Sequence, residues 1–324
     1  MPRHSELIDV GETGLKISRY SLGTAPLAGL YQNVDEEESD CVIEKALTSG
    51  MNYFDTAPLY GSGVGEKRLG RVLKESSKRI VVSTKVGRIL LSGENPEATK
   101  WPDADPNVIA QFDYSAEGIR RSLEESLVRL GLDHIDIAYI HDPDDLVKQA
   151  IEIVYPVLDD LRQQGIIKAV GVGTNFCGPA VEIMNAVDLD IVLIAGRYTL
   201  LDQTAQLELF PTALQRGVSV VAAGVYNSGI LANPIVGSYF NYEPASAEIL
   251  KRAQLIREYL STQGVPLTAA ALQFPLRHLA VTSVLNGSAS LKEIEENITN
   301  FNFKLPDNLW DSMESAGLII GEKK

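Results

Sequence analysis

Cysteine is nearly absent: Cys41 and Cys177 are the two in 324 residues. Two are too few for a disulfide framework, and their spacing fits no metal motif, so no metal is expected. No segment approaches the ~18 consecutive apolar residues of a membrane span. The opening Met-Pro-Arg-His-Ser-Glu-Leu lacks the apolar run of a secretory signal. Basic residues are also short, 29 Lys and Arg against 43 Asp and Glu, for a net charge of −14. Such a surface repels nucleic acid and anionic membranes, and it disfavours highly anionic substrates unless a local basic patch exists. Its plainest reading is solubility. These deficits point to a protein of the reducing cytoplasm that acts on a small molecule. Oligomeric state is not legible.

What is present is apolar material in a regular rhythm, 45% of the chain against 22% charged. Short apolar runs predict strands at Ser18–Leu22, Asn52–Phe54, Ile80–Thr84, Ile135–Ile140, Ile167–Val172, Ile191–Ile194, Val218–Ala222 and Val281–Leu285. Several are rich in Val and Ile on successive residues, as strands buried on both faces must be. Between them run amphipathic patterns predicted as helices: Glu37–Thr48, Gly65–Glu75, Ala116–Leu130, Leu146–Gln164, Gly178–Ala186, Thr204–Arg216, Ala245–Thr262, Leu267–His278 and Leu291–Phe301. In the third, Ile119, Leu123, Leu127 and Leu130 recur at helical spacing and Gly131 reads as the C-cap.

Eight strands, each followed by a helix, predict an α/β closed (β/α)8 barrel. An open doubly wound sheet is disfavoured because no Gly-rich dinucleotide fingerprint follows the first strand. Leu7–Lys16 reads as a hairpin capping the barrel bottom. With no linker, repeat or low-complexity tract, residues 1–324 are expected to form one domain. A long stretch rich in Pro, Gly, Asn and Asp, Gly87–Tyr114, interrupts the rhythm after the third strand. It is expected to be a structureless loop on the active-site face that covers substrate, with Trp101 as its contact.

Four titratable residues fall at or just beyond the C-terminal ends of strands two to four: Asp55, Tyr60, Lys85 and His141. In a barrel these ends converge on one pocket. Each alone has an ordinary reading, as a turn former, a packing ring, an edge charge or a structural hydrogen bond. Together they make a proton-transfer group. A tyrosine with a pKa near ~10 is a poor base at neutral pH. An ammonium beside it lowers that pKa, an aspartate can hold the ammonium, and an imidazole can orient the substrate oxygen.

Asn52-Tyr-Phe-Asp-Thr-Ala-Pro-Leu-Tyr-Gly-Ser-Gly-Val-Gly-Glu66, Thr84-Lys85, the stretch from Ser122 through Leu130-Gly-Leu-Asp-His-Ile-Asp136, and Ile140-His141 follow one another in an order that resembles the aldo-keto reductase family. The likeness runs from about Gly14 to Asn297. It implies an enzyme, an oxidoreductase acting on CH–OH groups, with Tyr60 as acid/base and Asp55, Lys85 and His141 as partners. Ile140-His-Asp-Pro-Asp144 and Gly171-Val-Gly-Thr-Asn175 are most similar to the branch that oxidises aldoses at C1. That branch takes in L-fucose (D-threo-aldose) dehydrogenases and pyridoxal 4-dehydrogenases. The implied reaction is oxidation of an aldose hemiacetal to a lactone. Alternatives are pyridoxal 4-dehydrogenation, a general NADP-dependent aldehyde or ketone reductase, and a barrel-type regulatory subunit without turnover.

The resemblance also implies a nicotinamide cofactor. Thr174 and Asn175 stand for the pair that holds the carboxamide. Ala195 replaces the usual Gln and Ala223 the usual aromatic, with Tyr226, beside Gly224 and Val225, as the substitute ring. Asn286-Gly-Ser-Ala-Ser-Leu-Lys-Glu-Ile-Glu-Glu-Asn297 resembles the phosphate-and-adenine segment, implicating Gly287, Ser288, Glu293, Glu296 and Asn297. Glu293 falls where NADP-preferring members carry Arg and Gly287 where they often carry Lys. NAD is therefore the expected cofactor, with NADP possible through Lys292. A carboxylate accepts from a ribose 2′-hydroxyl but cannot clamp a 2′-phosphate.

Overall fold

The computed structural model describes residues 3–321. Eight parallel strands close on themselves: β1 (Tyr20–Gly23), β2 (Tyr53–Asp55), β3 (Val81–Val86), β4 (Ile137–His141), β5 (Ala169–Thr174), β6 (Ile191–Ala195), β7 (Ser219–Ala223) and β8 (Val281–Gly287). Each pairs with its successor in the chain, and β8 closes the ring on β1 through Val284–Tyr20 to Gly287–Gly23. Every strand is followed by at least one helix, so the expected (β/α)8 barrel is the fold.

Alternation along each strand decides what it carries where. On β3, Val82 and Val86 join the outer core beneath the helices, whereas Val81 joins the inner core. Ser83 and Lys85 share the inward parity of Val81. The inner layer also holds Tyr53, Ile137, Tyr139, Ile191 and Leu193. The hairpin Leu7–Asp9/Lys16–Ser18 closes its lower end, placing Val10, Leu15 and Ile17 against that layer. Because Lys16–Ser18 belongs to this hairpin, β1 starts at Tyr20 rather than at Ser18.

Helix Ala116–Leu130 starts and stops as its sequence requires. Ser115 Oγ accepts from Gly118 N at 3.0 Å, and Gly131 ends the helix at φ +62°. The predicted helix Leu146–Gln164 is instead three pieces, Val147–Gln149, a π-helical turn at Ala150–Val154, and Tyr155–Gln163. Pro156 has no N–H to give to the preceding turn, and the π turn absorbs the missing bond. The predicted helix Thr204–Arg216 is a 3-10 turn, Thr204–Gln206, then a helix from Leu209. A final helix, Leu309–Ser315, was not legible.

The stretch after β3 departs most from expectation. Residues 87–114 are not structureless: Arg88–Ser92 pairs antiparallel with Val108–Phe112, forming a two-stranded arm. Its tip folds back onto the barrel mouth through Asp103. That carboxylate accepts from Arg68 Nη1 at 2.8 Å, Asn33 Nδ2 at 2.9 Å and Val34 N at 3.1 Å. No helix among the described residues is long and apolar enough to cross a membrane.

Candidate active site

Asp55, Lys85 and His141 are brought together at the upper rim of the barrel by strand register. Asp55 pairs across to Ser83, Lys85 to Tyr139, and His141 to Gly173. Lys85 Nζ donates to Asp55 Oδ2 at 2.6 Å and to Thr56 O at 2.9 Å. Ser83 Oγ donates to the other carboxylate oxygen at 2.7 Å. Tyr60, on the loop after β2, lays its ring with the Lys85 ammonium 4.6 Å from the centroid and His141 edge-on at 6.3 Å. The four residues expected from the sequence therefore form one cluster.

One glycine makes room beneath it: on β5, a Cβ at Gly171 would lie 2.7 Å from the Tyr139 ring. The arm supplies a wall. Trp101 is only 6% exposed and stacks on Tyr60 with ring centroids 5.9 Å apart. It packs with Ala28 and Ala104, and the adjoining Lys100 O accepts from Tyr31 N at 2.8 Å.

Two adjoining cavities open at this rim and share Tyr60. One, about 320 Å³, runs between β1, β7 and β8 past Asp55, Gly224, Tyr226 and Gly287. The other, about 350 Å³, is lined by Lys85, Trp101, His141, Asn175, Arg88 and Asp142. Arg88 and Asp142 were not singled out from the sequence, although Asp142 follows His141 directly. Arg88 Nη2 meets Asp142 Oδ2 at 3.2 Å, and Asp142 sits at φ +44°, fixed by its N–H to Gly173 O at 2.9 Å. Aspartate tolerates that left-handed backbone better than most residues.

Electrostatics differ in one respect from the expectation. Burial pushes the Tyr60 phenol up, Lys85 pulls it back, and the net direction is upward. Lys85 lowers the phenol relative to its buried position, not relative to water. Burial alone would lower Lys85, but Asp55 and Tyr60 outweigh it and hold the ammonium charged. Burial, then Lys85 and Arg88, hold His141 well below the ordinary imidazole range, so it is neutral near pH 7. The cluster thus offers a charged amine, a protonated phenol and a neutral imidazole at one point.

The residues expected at the cofactor divide. Gly224, Tyr226 and Gly287 line the first cavity, and Thr174 and Asn175 line the second. Val225 is fully buried and lines neither. Thr174 Oγ1 is already committed, donating to Asp144 and accepting from Phe176 N at 3.0 Å. Tyr226 OH donates to Asn297 Oδ1 at 2.7 Å, and Asn297 Nδ2 to Ser288 Oγ at 3.1 Å, which knits one end of the cleft. Glu293 and Glu296 are exposed on helix Leu291–Phe301. Glu293 reaches back to Ala289 N at 2.8 Å while Ser290 Oγ takes Glu293 N at 3.2 Å, a capping-box arrangement. Glu38, unnoticed in the sequence, accepts from Leu291 N at 2.6 Å at the same helix start.

The first cavity, bordered by Gly224, Tyr226, Asn286 and Gly287, is suited to the nicotinamide end of a dinucleotide. Tyr60 and Asp55 meet it at one end.

Comparison with known proteins identifies the family. Residues 19–317 match the aldo/keto reductase family model. The chain is 40% identical to pyridoxal 4-dehydrogenase from Microbacterium luteolum over 97% of this chain and 98% of that one. It is 36% identical to D-threo-aldose 1-dehydrogenase from a Pseudomonas species, over 94% and 96%. Among solved structures, the aldo-keto reductase of Bacillus halodurans in its holo form superposes with a TM-score of 0.76 at 26% identity, covering 98% of this chain and 97% of that one. Glycerol dehydrogenase from Gluconobacter oxydans shares the fold, with a TM-score of 0.77 at 24% identity over 99% and 98%. The chain belongs to the aldo-keto reductase family, whose members use NAD(P)H, and is an oxidoreductase acting on CH–OH groups.

Proposed function

We propose that the protein is an NAD-dependent dehydrogenase that oxidises the hemiacetal carbon of a small cyclic aldose to a lactone. The observation that carries this reading is the place of Tyr60, whose ring borders both cavities beside Lys85 and His141. A substrate in the second cavity presents its anomeric hydroxyl to Tyr60 and its carbon towards the first. Bound nicotinamide supplies the hydride acceptor. Tyr60 first gives up its own proton to solvent; the resulting phenolate, stabilised by the Lys85 ammonium, takes the hydroxyl proton as the hydride leaves carbon. His141, neutral, donates to or accepts from the same oxygen and fixes its direction. Asp142 and Arg88 offer an acceptor and a donor side by side, a match for sugar hydroxyls. Trp101 packs over the ring.

NAD rather than NADP is favoured by charge on helix Leu291–Phe301, which follows the Asn286–Gly287 edge of the first cavity. Glu38 and Glu293 meet its first turn, and Glu296 lies 3.8 Å from the Lys292 ammonium. Cells keep NAD mostly oxidised, so the direction is dehydrogenation, and hydrolysis of the lactone draws it forward.

A second reading, pyridoxal as substrate, is favoured by the stacked Trp101–Tyr60 wall and by the 40% identity to a pyridoxal 4-dehydrogenase. Pyridoxal also closes to a cyclic hemiacetal, so the chemistry at Tyr60 is the same. The test is a steady-state panel of aldoses and pyridoxal with NAD and with NADP, read as reduced-nicotinamide absorbance. Tyr60→Phe removes the proton-transferring oxygen and should lower turnover about 100- to 10,000-fold with cofactor binding retained. Near wild-type kcat in that variant defeats the reading.

A further inference from the structure

Below the pocket, the barrel interior carries hydroxyls that the chemistry above does not use. Ser83 Oγ lies 2.7 Å from Asp55 Oδ1, Tyr53 OH lies 3.0 Å from Ser83 Oγ, and Tyr139 OH lies 2.9 Å from Tyr53 OH. Asp55 is 1% exposed and the other three are fully buried. Barrel interiors are ordinarily filled with branched apolar side chains, and buried hydroxyls are costly unless each finds a partner.

The chain of bonds has one possible polarity. A carboxylate only accepts, so the single Ser83 proton goes to Asp55. Ser83 must then accept from Tyr53. Tyr53, its proton used, must accept from Tyr139. Every donor thus points up towards Asp55, whose other oxygen carries Lys85. Burial pushes both phenols well above their ordinary range, so they stay protonated and remain donors at every working pH. Register builds this line: Asp55 faces Ser83 across β2–β3, Lys85 faces Tyr139 across β3–β4, and Gly171 on β5 opens the space the Tyr139 ring fills.

We propose that Ser83 and Tyr53, backed by Tyr139, are positioning residues that hold Asp55 as a fixed carboxylate beneath Lys85 and so tune the charge that Lys85 presents to Tyr60. This rests on the reading of Tyr60 as the proton-transferring group. The chain spreads the carboxylate's charge over donated hydrogen bonds. Without it, Asp55 draws the Lys85 proton more strongly, less positive charge reaches Tyr60, and the phenol becomes harder to ionise. The other titratable groups facing Tyr60 and Lys85 are His141 and Asp142 from β4 and its end, Arg88 from the arm, and Tyr242. None of these has a hydrogen bond to Ser83, Tyr53 or Tyr139 among the described residues.

The experiment is the pH profile of kcat/KM in the dehydrogenase direction, with the aldose or pyridoxal that turns over in the panel. Each hydrogen bond to a carboxylate is worth roughly one pH unit, and part of that is transmitted to the phenol. Ser83→Ala should move the acid limb up by about 0.5–1 unit, Tyr53→Phe by less and Tyr139→Phe by least. Below the limb this is a loss of up to about tenfold, with KM for substrate and cofactor within about twofold of wild type. Ser83→Thr, which restores the hydroxyl, should return the limb. A second readout needs no substrate: the phenolate absorbance of Tyr60, taken as the difference between titrations of each variant with and without Tyr60→Phe, should move in the same order. A limb and a phenolate titration that stay put in both Ser83→Ala and Tyr53→Phe, whatever happens to their Tm, overturn the proposal while Tyr60→Phe remains inactive. An active Tyr60→Phe overturns the reading of Tyr60 itself, a separate and distinguishable failure.

Discussion

Asp103→Ala tests how the arm serves the site. The carboxylate lies 2.8 Å from Arg68 Nη1, with the two side chains 9% and 10% exposed. Removing it leaves a buried guanidinium, whose Nε has no partner, without its counter-charge and with Leu27 O as an acceptor, and it frees the donors of Asn33 and Val34. Breaking a buried pair from one side costs about 3–5 kcal/mol. That loss falls chiefly on the arm, whose other polar links to the barrel mouth are Tyr31 N to Lys100 O at 2.8 Å and Ser62 Oγ to Val108 O at 3.0 Å. At about 1.4 kcal/mol per decade, the closed-to-open ratio of the arm should drop by roughly 100- to 5,000-fold. Hydrogen exchange over residues 93–107 should accelerate accordingly, with little change in protection of β3 and β4. The chain has two tryptophans, so a Trp310→Phe background leaves Trp101 as the reporter. Its emission should shift to the red as the ring leaves Tyr60. KM should rise more than kcat falls, as it should in Trp101→Ala, because the ring contributes binding common to ground and transition states. Adding Arg68→Met, which removes the stranded charge, should recover part of the closed state. Unchanged exchange, emission and KM in Asp103→Ala would refute the idea that this pair seats Trp101.

Three other outcomes follow from features of the site. Glu293→Arg should move the NAD/NADP ratio of kcat/KM towards NADP, since one hydrogen bond to a charged acceptor is worth roughly 1.5–3 kcal/mol. It should also lower Tm through the lost cap, whereas Glu293→Gln should keep the cap and lose only discrimination. An unchanged ratio in both removes Glu293 from the cofactor site. Gly171→Ala would place a Cβ 2.5 Å from Ile191 O and 2.7 Å from the Tyr139 ring. Overpacking of this kind costs about 1–3 kcal/mol, to be read as a drop in Tm with a parallel drop in kcat. His141 is held neutral by burial with its folded pKa far below the unfolded value of 6.5. As pH falls below that value the unfolded chain gains a proton the folded chain refuses, so stability is lost until the folded pKa is reached. Denaturation at pH 7 and pH 5 should therefore show a smaller pH difference in His141→Gln than in wild type.

The barrel and the four clustered residues were legible because both live in local pattern. Apolar runs of the right length mark strands, and Asp55, Lys85 and His141 end three of them. The arm was not legible, since Arg88–Ser92 finds its partner only at Val108–Phe112, across a turn-rich stretch that resembles a loop residue by residue. The direction of the Tyr60 shift was missed because sequence gives the neighbouring charge but not the depth of burial, and burial wins. Asp103 and Glu38 carry no local mark at all. Their partners, Arg68 and Leu291 N, are far away in the chain, so only the folded geometry identifies them. Glu293 shows the opposite hazard: Ser290 and Glu293 at i and i+3 spell a cap as plainly as they spell a ribose contact.

Arg88 and Phe112 sit side by side in the arm's first pair, directly above the end of β3. The residues between them cross to the barrel mouth, where Trp101 stacks on Tyr60 and Asp103 meets Arg68, Asn33 and Val34. The eight barrel strands pair without the arm, so a different tip would change the wall over Tyr60 rather than any strand register. The arm is in that sense an interchangeable part, and a library of grafted arms retaining an aspartate at the anchor point offers a direct way to give the same chemistry new substrates.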